Sequence, residues 1–536
     1  MIRAPFLLAG TALGILAVPA TAGERRVALE PYIEASQVLT ADLDGPNDVV
    51  TYSALAAGLN ATVQTRRVEA QASYRFEHRF AWDDALADEN IHSGLARAAV
   101  HVAPGFDLEG GALATRSRVD IRGEAPSVLA GDVANVAQVY SLYAGPTLSG
   151  RLGPLAANAA YRFGYTKVES PESGLGLPPG QRRLDLYDAA TTHLLSGSLG
   201  TTPGDVLPVG LTIATQWERE DQTQLDSRYE GKFVRGDVVA PVSRTVALVG
   251  GVGYERITLS EHDALRDAGG APVVDRDGRF VTDEASARRI AYDTDGLIWD
   301  AGVLWRPNRR LELEARVGRR YDSMIYTGSL QWAAAPDLGV QVGVYDTVTS
   351  FARGLRRGLA ALPTAFTVRR DPFGDQFDGC VFGRGDGAAG GCLTGLFQSI
   401  ATANYRARGF DAVVTRSRGS TTLGLGGGYT SRRFLVADAG VNALLDGATD
   451  QSWYAQAFWS QALADGALVD IAVDGAWYGP GFAGAGDVLS AGLTGAYGRR
   501  FGRLGATASA GLYYFDQDGF ASDLVAQAQL GLRYGF

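Results

Sequence analysis

Leu524-Val525-Ala526-Gln527-Ala528-Gln529-Leu530-Gly531-Leu532-Arg533-Tyr534-Gly535-Phe536 decides the fold. Read with period two, Leu524, Ala526, Ala528, Leu530, Leu532, Tyr534 and Phe536 share one face. The other face carries Val525, Gln527, Gln529, Gly531 and Arg533, polar apart from the valine. Successive side chains of an extended chain point to opposite faces, so this is a strand with one face fit for lipid and one for water.

The same alternation recurs upstream, and helical periodicity is scarce. Val68, Ala70, Ala72, Tyr74 and Phe76 alternate with Glu69, Gln71, Ser73, Arg75 and Glu77. Val209, Leu211, Ile213, Thr215 and Trp217 alternate with a row ending in Glu218. Leu311, Leu313, Ala315 and Val317 alternate with Glu312, Glu314 and Arg316, and Val469, Ile471 and Val473 sit opposite Asp470 and Asp474. Turn residues punctuate these runs at Ala103-Pro104-Gly105, Thr202-Pro203-Gly204-Asp205, Arg306-Pro307-Asn308-Arg309, Ala335-Pro336-Asp337 and Ala464-Asp465-Gly466. Longer polar segments near 40–48, 81–91, 120–133, 169–187, 259–292, 350–398 and 433–450 alternate with the short ones. Short turns at one end and long loops at the other are the pattern of a transmembrane barrel.

The expected fold is therefore all-β, an antiparallel transmembrane β-barrel of the bacterial outer membrane with about 22 strands (range about 18–24). Aromatic residues at strand ends (Tyr74, Phe76, Trp217, Trp299, Trp305, Trp332, Trp477, Tyr534 and Phe536) fit interfacial girdles better than a soluble β-helix or sandwich. Residues 1–22 read as a cleaved signal peptide: Arg3, an apolar stretch from Pro5 to Val18, then small residues at Ala20 and Ala22. Past that segment, charges interrupt every candidate membrane helix. The remaining 23–536 is expected to be a single barrel with long extracellular loops, notably 259–292 and 350–398. Nearly every residue is used by strands and loops, so no plug domain is expected, unlike the N-terminal plug that TonB-dependent receptors carry at this strand count.

Net charge of −10 gives no support for nucleic acid as a partner. Lys167 and Lys232 are the two lysines, and the other cations are arginines, whose guanidinium suits contact with lipid phosphates and lipopolysaccharide. The five histidines (His78, His92, His101, His193 and His262) show no paired metal-ligand spacing, and no local motif nominates a serine nucleophile. Asp275-Arg276-Asp277-Gly278 resembles a calcium turn, but Val273 stands where the first acid belongs and no Glu closes the site. No catalytic residue, metal or cofactor is nominated. Gly424-Leu425-Gly426-Gly427-Gly428 continues a strand and opens no helix, so it reads as strand bending or lumen space, not a phosphate loop.

The alternation places Glu69, Arg75, Glu77, Asp107, Glu109, Glu218, Glu312, Glu314, Arg316, Asp470, Asp474 and Arg533 on the lumen. Mixed signs argue against a strongly ion-selective pore and suit polysaccharide or another polar solute as cargo. Cys380 and Cys392, close together in an exported chain, read as a disulfide stapling the 350–398 loop; the alternative, a metal site, lacks a nearby histidine. A long stapled loop on a barrel is expected to fold over or into the mouth and gate it, or to present a surface epitope; the gate is favoured.

The chain resembles a family of outer-membrane β-barrel proteins associated with PEP-CTERM/exosortase and exopolysaccharide loci. The residues carrying this are Trp305 to Leu313, Gly318-Arg319-Arg320-Tyr321-Asp322, Tyr326 to Leu330, the Cys380 and Cys392 segment and Gly424 to Arg433. The resemblance implies a non-enzymatic conduit or export component for polar envelope material such as exopolysaccharide. Alternatives are a structural or adhesive surface barrel with a closed lumen, a lipid enzyme or a protein-export component. Tyr534 and Phe536 are similar to the terminal signal read by the barrel-assembly machinery, an expected partner beside outer-membrane lipids.

Overall fold

The computed structural model describes residues 26–44, 49–82, 88–119, 135–169, 185–373, 377–383, 389–397, 400, 402–438, 440–481, 486–519 and 521–536. The expected signal peptide 1–22 lies outside them. In chain order the strands are β1 (Arg26–Asp42), β2 (Val49–Gln64), β3 (Val68–Ala81), β4 (Glu89–Ala103), β5 (Phe106–Arg118), β6 (Val136–Leu152), β7 (Leu155–Val168) and β8 (Ala189–Gly200). They continue with β9 (Gly210–Gln222), β10 (Arg228–Pro241), β11 (Val246–Glu261), β12 (Arg289–Asn308), β13 (Leu311–Arg320), β14 (Ser323–Ala335) and β15 (Leu338–Thr349). An inserted segment holds helix α1 (Phe351–Ala361), β16 (Phe366–Arg370), β17 (Phe377–Gly383), β18 (Gly390–Cys392) and the short helix α2 (Thr394–Phe397). The wall resumes with β19 (Asn404–Arg418), β20 (Thr421–Leu435), β21 (Thr449–Ala462), β22 (Ala467–Gly479), β23 (Val488–Phe501), β24 (Leu504–Gln517) and β25 (Asp523–Gly535).

One 22-stranded antiparallel sheet contains every strand except β16–β18, which form their own three-stranded sheet. β1 pairs with β2 on one side and with β25 on the other, Ile33 opposite Tyr534, so the sheet closes on itself. The Phe536 N–H donates to the Pro31 carbonyl at 3.1 Å, sealing the seam. Closure leaves the wall without free end strands, which is what allows a sheet to stand in hydrocarbon. No helix among the described residues is long and apolar enough to cross a membrane; the crossing is made by strands.

The outward register is apolar and solvent-facing, with Leu297 75%, Leu530 69% and Ile213 66% exposed. An apolar belt of this kind around a closed barrel belongs in a bilayer. The inward register is polar and buried: Arg75, Glu77, Arg79, Glu218, Glu220 and Arg432 are all under a tenth exposed. Interior ion pairs account for that burial, since charges leave water only when paired and hydrogen-bonded.

The expectation of a barrel without a plug is overturned. The segment joining β15 to β19 does not rise as an external loop; it folds into the lumen. Its apolar residues Phe351, Leu355, Leu359, Leu362, Phe366 and Val381 are at most 1% exposed, packed against Leu95, Leu113, Val139 and Tyr143 on the inner wall. A wall this wide cannot be filled by its own side chains, and the insertion fills it.

Candidate functional site: the plugged lumen

Helix α1 begins where Ser350 accepts a hydrogen bond from the Arg353 N–H (3.2 Å), satisfying one of the orphan donors of the first turn. Phe351, Leu355 and Leu359 recur at helical spacing and form the stripe that meets the apolar patch of β4–β6. The opposite face presents arginines. Arg353 Nε donates to Glu220 at 2.7 Å, Arg353 Nη2 to Asn404 at 2.5 Å, and its guanidinium lies 3.4 Å from the Tyr229 ring centre. Arg356 pairs with Glu218, and Ser350 Oγ donates to Glu220 at 2.5 Å. At the far end, Arg97 of β4 donates to the Leu362 (3.1 Å) and Ala360 (2.9 Å) carbonyls, a cation placed where the helix leaves acceptors unpaired.

The insertion then crosses the lumen. Thr364 donates to Glu69 at 3.0 Å, and Gln71 both donates to the Phe366 carbonyl (2.6 Å) and accepts from its N–H (2.9 Å). Phe373 is buried against Val38, Tyr52 and Ala54, with Arg79 donating to its carbonyl at 2.9 Å. Tyr513 donates to Asp371 at 2.7 Å. The β17–β18 hairpin, whose Cys380 and Cys392 stand directly opposite and are joined by a disulfide, packs on Tyr454, Phe458 and Ala472. Gly424 and Gly426 make room for it. A Cβ at Gly426 would lie 2.8 Å from the Cys380 sulfur, and one at Gly424 would lie 2.7 Å from the Phe382 ring.

Glu69 and Glu218 touch the insertion. Arg75 bridges Glu34 (2.9 Å) and Glu77 (2.6 Å), and Glu77 also holds Arg79 (2.6 Å). Glu109 takes Arg162 at 3.2 Å, and Asp107 pairs with His101 at the short-turn rim. Glu312 takes Arg306 at 2.8 Å. Arg316 binds Asp300 at 2.7 Å and also Glu314. Asp470 and Asp474 lie on β22, and the Arg533 guanidinium stacks 3.4 Å from the Tyr32 ring centre. Sequence reasoning missed Glu220, Arg353, Arg356 and Arg97. The available signal was Leu95, Leu113 and Val139, apolar residues in an otherwise polar register that require an interior partner.

A cavity of about 150 Å³ remains between β10, β12–β15 and β19, with Arg235, Asp300, Arg316, Gln341 and Asp411 among its walls and Thr347, which accepts from Arg357 of α1 at 3.3 Å, at its edge. Among the described residues no group of three or more metal-ligating side chains occurs. Asp275 accepts from the Asp277 (2.9 Å) and Arg279 (2.8 Å) N–H groups, closing a turn.

Outside the wall's long-loop end, Asp185 joins three connections. Its Oδ1 accepts from the Leu186 N–H (2.9 Å), Gln224 Nε2 (2.6 Å) and the Phe280 N–H (2.9 Å), while Oδ2 is buried without a partner. Burial pushes this carboxyl up to about 7, against the three hydrogen bonds that pull it down.

No protein-family model and no curated protein matches this chain. Among solved structures it is similar to the ferric-catecholate import receptor Fiu of E. coli K12 in its open form (TM-score 0.44, 10% identity, 94% of this chain and 81% of that one). It is also similar to the FrpB iron transporter of Neisseria meningitidis (0.42, 9%, 95% and 81%) and to the alcaligin outer-membrane receptor FauA of Bordetella pertussis (0.39, 11%, 94% and 76%). The lumen here is filled by the β15–β19 insertion, so the expectation of an export conduit for exopolysaccharide is corrected and carried no further.

Proposed function

We propose that this chain is a non-enzymatic outer-membrane uptake barrel for a small polar solute, held shut at rest by its own β15–β19 insertion. The observation that supports the reading is how the insertion is held. Its helix is fixed to the wall by desolvated charge pairs, Arg353–Glu220 and Arg356–Glu218, beside an apolar seat. Apolar packing alone fills a lumen; charge pairs with defined partners make a seat that can be left and regained without loss of register. Solute would meet the barrel at the long-loop end, opposite the chain termini. Assembly into the membrane by machinery reading Tyr534 and Phe536 belongs to the same proposal. So does kinship with the exosortase-associated barrels, which rests on the residues quoted for it and is tested by the genes flanking this one.

Conductance in planar bilayers tests the reading. Wild-type protein is expected to be nearly silent. Arg353→Ala leaves Glu220 buried without its main partner, at a cost of about 3–5 kcal/mol of seating, and is expected to give sustained openings. A wild-type barrel that already conducts as fully as this variant would sink the proposal.

A further inference from the structure

The wall is not laddered over its whole height. Pairing between β14 and β15 runs from Ala335↔Leu338 to Gly328↔Val344 and stops there. Above that point β14 continues from Thr327 to Ser323 paired with β13 alone, and β15 continues from Tyr345 to Thr349 paired with β19 alone. β13 and β14 reverse at Tyr321 and Asp322, both with positive φ (54° and 55°). The facing edges Ser323–Thr327 and Tyr345–Thr349 therefore bound a slit in the backbone ladder, floored on the lumen side by the packed side chains of Tyr321, Ile325 and Val348.

This slit opens at the upper end of the apolar belt. Tyr326 (63% exposed), Met324, Val344 and Phe410 present apolar surface beside it. The cavity behind it is lined by residues of both faces of the wall: Trp299, Arg319 and Val344 from the outward register, Asp300, Arg316 and Ile325 from the inward one. Side chains clasp the gap where backbone does not. Arg408 Nη2 donates to Ser323 Oγ at 3.2 Å and its Nε lies 3.0 Å from Asp346. Arg406 holds Asp346 at 2.7 Å and lies 5.1 Å from the Tyr321 ring centre. Open sheet edges are not left facing hydrocarbon, because unpaired N–H and C=O groups cost several kcal/mol each there; they occur where they line a polar cleft.

Inside the cavity arginines and acids balance, Arg235, Arg316, Arg319 and Arg320 against Asp300, Glu314, Asp346 and Asp411. On the outward rim of the slit the excess is positive, with Arg319, Arg406 and Arg408 beside Asp346. Glu255 takes Arg320, and Asp346 is shared by Arg406 and Arg408. Asp322 faces solvent at the turn, and Arg319 is exposed and makes no ion pair among the described residues. We propose that the β14–β15 slit is a lateral docking site for an anionic membrane lipid, its acidic headgroup on Arg319 and Arg408 and its acyl chains along Tyr326, Val344 and Phe410. Guanidinium groups match a phosphate bidentately, and the flanking surface matches the chains.

Native mass spectrometry in non-ionic detergent tests this, with phosphatidylglycerol and phosphatidylcholine of identical chains as probes. The wild type is expected to retain the anionic lipid about ten-fold better, the worth of one charge-assisted hydrogen bond. Arg319→Gln should erase that preference, Arg319→Lys should restore most of it, and Arg499→Gln at the other end of the barrel should leave it unchanged. Arg319 is exposed, and heat-modifiable gel mobility checks that each variant folds. Equal retention of the two lipids, an unchanged preference in Arg319→Gln, or displacement of phosphatidylglycerol by millimolar inorganic phosphate would overturn the proposal. The assay reads binding without transport, so its outcome is independent of the conductance test.

Discussion

Asp185 shows how one carboxyl couples a surface assembly to pH. Its pKa in the folded chain is about 7, above the ordinary carboxylate value, so the closed loops bind a proton that the opened loops release. The stability it contributes is fully present below about pH 4 and is lost as pH rises through 7, a span worth on the order of 2–4 kcal/mol. Protection factors in 262–288, with each amide's rate compared with its intrinsic rate at that pH, are therefore expected to be higher at pH 4.5 than at pH 8. Asp185→Asn, which carries no titrating proton, should remove most of that difference. Protection that is equally pH-dependent in the variant would assign the effect elsewhere, to Glu261 nearby, whose carboxyl burial also pushes up to about 7.

At the level of elements, the insertion is a helix and a stapled hairpin held by different forces. The helix depends on desolvated ion pairs, and the hairpin on a disulfide that closes a loop of about a dozen residues, worth about 3 kcal/mol in chain entropy. Cys380→Ser/Cys392→Ser is expected to raise hydrogen exchange across 377–392 while leaving 351–361 protected; loss of protection in both would show that the two seat as one unit. The wall strands and their turns were legible in the sequence because period two and Gly, Pro or Asp punctuation are local signals. Ala103-Pro104-Gly105 and Ala464-Asp465-Gly466 fall at strand ends. The length of the β15–β19 connection was legible too, but its position was not. Arg353 meets Glu220 across 133 residues, a pairing that no local pattern encodes. Only the inward Leu95, Leu113 and Val139 hinted that the lumen held something apolar.

For the whole molecule, the barrel does not need the insertion for its register. β15 and β19 are neighbours in the wall, Thr349 opposite Tyr405, so a short turn could join them directly. Replacing 351–402 by a short Gly/Asn-rich turn is expected to leave a heat-modifiable barrel with a large, steady conductance. Failure to fold would mean that the insertion templates the wall it sits in. The burial of the disulfide has a consequence of timing. Inside the closed wall Cys380 is fully buried and Cys392 partly so, which leaves the pair harder for an oxidant protein to reach than in an open ribbon. The bond is therefore made most readily while the chain is still an open ribbon, which gives thiol oxidation an order relative to membrane insertion.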